Sequence, residues 1–587
     1  MTDGSEHHNH PHEHDEPGGE PPEDDETHAP DEGEGEPPEL TATAFGPSDD
    51  RFAPAAEQVL LHPSVRALLE GTEHRVLSVR SLPEDTKSAS PCPDDRFRAV
   101  IYDYTNGRTV QVEGDLAAID PESQGDVRVS EFASQPLPSD EEFEAAVDVV
   151  MHDRGMRREI KTGAIQTYRP MPPVLDEELP DGRMERVVNV GLRSTGESPS
   201  HRFVGVRMFD RAIIRDHPLF PRPDVGECEP PPGVEGCAST GTGGQVWVTV
   251  TQGGQTVWRF LVLRPAASSG TNGSGVELRF VDYRGRRVLY RAHVPILNVE
   301  YSSEGTEIGC GPTYRDWQDQ ETCFEAPLGF DVVPGYRVCY SPAQTILDTG
   351  NDAGNFRGVA IYVQGQEVVL VSEMRAGWYR YISEWRLHTN GTIRPRFGFA
   401  GTANPCTCKP HHHHVYWRLD FDIVTAWNNL VEEYNDPPII GSSNWHMKTY
   451  EIRRPRDASH KRQWRVTNAS TGEGYLLKPG PNDGNQTSYG VGDLWVLRYH
   501  WNEIDDGVGF TTNPALSAAH LDTFRSPAEL VANTDVVLWY AAHFLHDEAA
   551  GAGGSHWVGP DLVRIPRRIR PVHPGQLVES ARATTEA

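Results

Sequence analysis

The chain has 587 residues, 86 Asp and Glu against 54 Lys and Arg, and a formal charge of −32. Its length predicts about three or four domains with a sizeable core, and its acidity disfavours nucleic acid and anionic membrane as partners. Glycine (55), proline (47) and tryptophan (13), with few long apolar helical periods, favour a β-rich fold.

Residues 1–50 hold 17 acids and no Lys or Arg, which leaves about −15 for the rest. With Pro, Gly and six histidines (His7, His8, His10, His12, His14, His28), this stretch cannot bury enough apolar surface to fold. It reads as a disordered leader, inert and solubilising rather than metal-collecting. No apolar signal region and no stretch of transmembrane length is seen, so a cytoplasmic location is expected. For that compartment the eight cysteines read as thiols. Cys406-Thr407-Cys408 is weak support for a zinc site.

In chain order, residues 51–130 predict a small α+β unit. Its helical region runs from Pro54 to Leu69, broken at Pro63, and is followed by strands His74 to Arg80, Phe97 to Tyr104 and Thr109 to Glu113, the last two joined at Asn106-Gly107. A second α+β unit, 131–225, opens on a helix capped by Ser139, with acids in its first turn. Residues 226–587 begin with a Pro/Gly linker and then alternate strand after strand, which predicts a large antiparallel β-sandwich.

Within that region His411-His412-His413-His414 runs into Val415-Tyr416-Trp417-Arg418-Leu419-Asp420-Phe421-Asp422. The alternation makes this a strand rather than a low-complexity tract. Alternate residues of a strand share a face, so His411 with His413, or His412 with His414, can grip one metal.

Three stretches together resemble the catalytic domain of the copper amine oxidases: Trp378-Tyr379-Arg380-Tyr381-Ile382-Ser383-Glu384-Trp385, Asn390-Gly391-Thr392-Ile393, and the histidine run with Arg418-Leu419-Asp420-Phe421-Asp422. The resemblance covers about residues 245 to 546. It implies copper, a topaquinone made from the chain's own Tyr379, and oxidation of a primary amine by dioxygen to aldehyde, ammonia and peroxide. It also implies that the two preceding units are the family's small cystatin-like domains and that the protein is a homodimer.

Residue by residue, the resemblance implies copper ligands His411, His413 and His546, with His412/His414 as the shifted alternative and His543 as competitor for the third place. Asp420, Asp422 and Asp535 match a calcium-type site. Tyr301 and Asp316 stand for the quinone-contacting tyrosine and the base that takes the substrate α-proton, with Asp319 and Glu325 as fallbacks. A base working near neutral pH calls for a buried carboxylate of raised pKa.

The departures fall beside Tyr379. The family has Asn before the quinone precursor, an acid after it and Thr four residues earlier, where this chain has Trp378, Arg380 and Arg375. After His546, Asp547-Glu548-Ala549 replaces the family's Pro-Arg arm. The competing reading is therefore a catalytically silent copper-binding protein on the same scaffold. A zinc hydrolase is disfavoured by the lack of any H-E-x-x-H spacing.

Overall fold

The computed structural model describes residues 35–567 apart from 47–51, 53, 83–86, 89, 91–94, 121–124, 134, 179–183, 197–199, 218–219, 221–226, 234–236, 238–243, 302–309, 311–312, 507–519 and 548–555. The histidines of the leader, Cys92 and Glu548 to Ala550 lie outside the described residues.

The helical region breaks at proline as expected, into Ala55–Leu61 and Pro63–Leu69. These helices pack on a four-stranded sheet, whose strands Arg96–Asp103 and Arg108–Asp115 are joined through Asn106 and Gly107, the glycine at φ +60°. The second unit opens on helix Asp140–His152, where Ser139 Oγ accepts from Glu142 N at 3.1 Å, and continues into a five-stranded sheet. The two units share one apolar cluster that includes Leu77 and Tyr102 from the first and Val150, Val190 and Val206 from the second. Tyr104 also donates to Glu142 Oε1 at 2.5 Å. They are thus one body at their seam.

Two sheets of ten and twelve strands form the sandwich, bearing out the mainly β class with small α+β units in front. Among the described strands, pairing in the sandwich is antiparallel except where Tyr336–Cys339 runs parallel to Val359–Gln364. The alternating strands bury one face of each sheet in a common core. Buried tryptophans there find partners for their N–H groups: Trp258 donates to His388 O and Trp385 to Val276 O, each at 2.8 Å.

Two expectations need correction. Glu39–Phe45 does not belong to a disordered leader; it is an edge strand on Gln245–Gln252, because Leu40 and Ala42 pack against the sandwich core. Six of the described cysteines are not thiols: Cys228–Cys408, Cys237–Cys323 and Cys310–Cys406 are disulfides, and among the described residues Cys339 is free and buried. Pairing across 86 to 180 residues of sequence left no local spacing to read. Cys406-Thr407-Cys408 is accordingly a double tether rather than a thiolate pair.

Candidate metal and tyrosine centre

The histidine strand, His411–Phe421, lies in the ten-stranded sheet against Val536–His546, with His411 directly opposite His546. Alternation puts His411 and His413 on the face toward the other sheet, and the register brings His546 beside them. Each of the three, all buried, offers a ligand atom within 4.8 Å of the others'. His411 Nδ1 bonds Lys409 O at 2.5 Å, so that nitrogen is the donor and Nε2 keeps its lone pair. His411 Nε2 stands 3.1 Å from His413 Nε2. Burial, and then the charges of the neighbouring imidazoles, hold His413 well below the ordinary histidine pKa, in the neutral form a metal requires. The donor set therefore fits copper, for which three imidazoles with open positions suffice.

The alternative pair faces the other way. His414 Nδ1 meets His543 Nδ1 at 2.9 Å on the reverse of the strand, with Glu300 Oε2 3.3 Å from His414 and Asp493 Oδ1 3.2 Å from His543. His412 stacks on His414 there. A one-residue shift would have exchanged the two faces.

The second sheet supplies Tyr379–His388, entered by a tight turn at Gly377 and Trp378. Gly377 has φ +59°, and a Cβ on it would lie 2.5 Å from Met171 Cγ, so glycine is required at this turn. Tyr379 is fully buried and its hydroxyl closely contacts His411 Nε2. Its ring stacks on Tyr381 at 5.4 Å and meets His413 edge-on at 4.7 Å. The candidate quinone precursor thus touches the histidine triad.

Asp316 is buried, and its backbone is fixed by a 2.8 Å bond from its N–H to Leu297 O. Tyr381 donates to Asp316 Oδ2. Among the described residues Oδ1 accepts no hydrogen bond. Burial pushes the Asp316 carboxyl well above the ordinary carboxylate range, only partly offset by Tyr381 and Arg315. Both fallbacks lie elsewhere: Asp319 pairs with Arg80, and Glu325 is exposed.

Tyr301 reaches the candidate precursor itself: its hydroxyl is hydrogen-bonded to that of Tyr379 and accepts from Trp378 Nε1 at 2.8 Å, while its ring lies 4.8 Å from that of His411. Arg380 turns away into a two-point pair with Asp352 (2.6 and 2.8 Å) and donates back to Tyr379 O at 2.9 Å. The two departures flanking Tyr379 are thus both engaged in fixed contacts.

Sequence reasoning missed Glu229, whose Oε1 lies 3.7 Å from His546 Nε2, and His556, whose ring is 5.3 Å from that of His546. Glu229 follows Cys228, and its placement depends on the disulfide to Cys408. Only that pairing would have signalled it.

At the far end of the histidine strand Asp420, Asp422 and Asp535 converge, each offering an oxygen within 4.8 Å of the others'. Lys87 Nζ stands among them, 2.5, 2.6 and 2.6 Å from one oxygen of each.

No protein-family model and no curated protein matches the sequence. Solved structures do. A copper-containing benzylamine oxidase from Hansenula polymorpha aligns over 88% of this chain and 99% of its own, with TM-score 0.59 and 14% identity. An amine oxidase from Aspergillus nidulans aligns over 90% of each chain, with TM-score 0.56 and 13% identity. A lysyl oxidase from Pichia pastoris aligns over 89% of each, with TM-score 0.53 and 13% identity. At such identities the likeness is one of fold, and the chain has the copper amine oxidase fold.

Proposed function

We propose that this protein is a divergent copper-dependent amine oxidase that uses a quinone formed from Tyr379 to convert a primary amine, dioxygen and water to an aldehyde, ammonia and hydrogen peroxide. The observation that carries the reading is the contact of the buried Tyr379 hydroxyl with His411 inside the triad of His411, His413 and His546. Copper would be held by those three imidazoles, and together with the quinone it supplies the oxidising power and an electrophilic carbon for the amine.

The remaining work belongs to the chain's own side chains. Asp316 receives the substrate's α-proton on a carboxylate oxygen, and its raised pKa brings it toward the range in which a base works near neutral pH. Tyr381 orients that carboxylate by its hydrogen bond. Tyr301, held by Trp378, walls the site against the His411 ring. The stacked Phe399 and His413 rings, 4.6 Å apart, close another side and keep water out.

The competing reading, a silent copper protein, draws on Trp378 and Arg380: an indole replaces the small amide beside the precursor, and the guanidinium is tied to Asp352. Copper reconstitution in air separates the two. A quinone stain and visible band that disappear in Tyr379→Phe support the oxidase, and peroxide release from small aliphatic and aromatic amines then identifies the substrate. Bound copper without a band leaves the silent protein. Homodimerisation belongs to the same proposal. The three disulfides suit an oxidising compartment better than the cytoplasm. No helix among the described residues is long and apolar enough to cross a membrane.

A further inference from the structure

We propose that Lys87 is a built-in cation, its ammonium taking the place that a divalent ion would hold among Asp420, Asp422 and Asp535, so that this site neither needs nor accepts calcium. An ammonium has three donors and no acceptor. Here each of the three carboxylates presents one oxygen to Nζ, at 2.5, 2.6 and 2.6 Å, so the donors and acceptors match one to one.

The surroundings complete a site for an organic cation. Nζ lies 4.3 Å from the centre of the Tyr499 ring and 5.1 Å from that of Tyr290, and ring faces attract ammonium groups. Calcium instead asks for six to eight oxygens. The neighbour on the remaining side of Asp420 is another cation: Arg418 Nη1 stands 3.6 Å from Asp420 Oδ2. A divalent ion would have to expel Lys87 and then sit beside Arg418.

The electrostatics agree. Burial by itself would draw the Lys87 pKa down, but the charges of Asp420, Asp422 and Asp535 outweigh it and hold the ammonium above its ordinary value. In the same cage burial pushes Asp422 and Asp535 upward, and removing the lysine would leave three buried carboxylates facing one another.

The tether has a structural consequence. Lys87 lies in the connection between His74–Ser81 and Arg96–Asp103 of the first small unit, whereas the carboxylates belong to the sandwich. Along the same seam Arg80 pairs with Asp319, and Arg96 lies over Trp501 at 5.1 Å. A cation carried on the chain fastens the unit to the sandwich in a way that no chelator can reverse.

The test is calcium calorimetry and thermal unfolding on the full chain after chelator treatment. The wild type is expected to show no calcium uptake that Asp422→Asn removes, and no change of Tm on adding chelator or millimolar calcium. Lys87→Ala should gain calcium affinity by about tenfold or more as the uncompensated carboxylates seek a cation, and the gain should vanish in Lys87→Ala/Asp422→Asn. Wild-type calcium uptake abolished by Asp422→Asn overturns the proposal, as does a folded Lys87→Ala with no gain. If Lys87→Ala fails to fold, the wild type and Asp422→Asn titrations still decide the matter. None of these readouts depends on copper or amine turnover.

Discussion

Tyr381 donates its phenol hydrogen to Asp316 Oδ2 while its oxygen lies 3.4 Å from His413 Nδ1, so a single side chain bridges the candidate base and the histidine triad. The hydrogen bond stabilises the ionised carboxylate and opposes the rise that burial imposes on Asp316.

A base must be ionised to work, so amine turnover should fall as pH drops through the Asp316 pKa, which lies above the usual carboxylate range. Tyr381→Phe removes a stabiliser of the anion and should move that acid limb to higher pH. Asp316→Asn should lower turnover by about 10²- to 10⁴-fold with copper content unchanged. The pH profile of kcat/KM, taken beside metal analysis, checks both; an acid limb that stays in place in Tyr381→Phe counts against the pairing.

Copper content should follow the faces of the histidine strand. Replacing His411, His413 or His546 by Ala should each reduce bound copper to well under one equivalent, because the three ligand atoms are mutually within 4.8 Å. His412→Ala should leave it unchanged, since that ring stacks on His414 on the opposite face. Elemental analysis after dialysis distinguishes the two faces, and loss of copper in His412→Ala alone would favour the shifted register.

Strand alternation and local pattern made much of this centre legible. The choice of His411 and His413 over His412 and His414 followed from keeping the strand in phase, and Pro63, Ser139 and Asn106-Gly107 marked helix and hairpin ends by purely local chemistry. What was hidden was non-local. Tyr381 stands beside Tyr379 in sequence, yet only the fold shows that it reaches Asp316. Lys87 is separated from Asp420 by 333 residues, and no spacing rule connects them. Cys228 and Cys408 are 180 residues apart, so no local spacing in the sequence marks them as a disulfide pair.

Those disulfides give a third prediction. Cys310–Cys406 and Cys228–Cys408 anchor the residues just before His411 to two separate segments, across 96 and 180 residues. In the chain-entropy account, closing a loop of about 100 residues contributes about 4 to 5 kcal/mol. Cys310→Ser should therefore lower Tm and weaken copper retention, while Cys339→Ser, at the free buried thiol, should leave copper binding intact. Peptide mapping without reductant should find the three linked pairs; free thiols at Cys406 and Cys408 would remove the basis of this prediction.

The last prediction concerns stability away from the centre. Glu373 is buried in the strand Glu367–Ala376, where Oε2 accepts from Ile346 N at 2.9 Å and, among the described residues, Oε1 accepts nothing. Burial raises its carboxyl from 4.5 to about 8. Between those values the native state keeps a proton that the unfolded chain gives up, so its contribution to stability is undiminished below about pH 4.5 and is lost as pH rises toward about 8. Glu373→Gln keeps an acceptor for Ile346 N and removes the buried charge. It should change stability little at pH 5 and stabilise the protein at pH 9 by on the order of a few kcal/mol. Denaturant unfolding of both proteins at the two pH values measures the difference, and an equal effect at pH 5 and pH 9 would show that Glu373 does not hold a proton in the folded state.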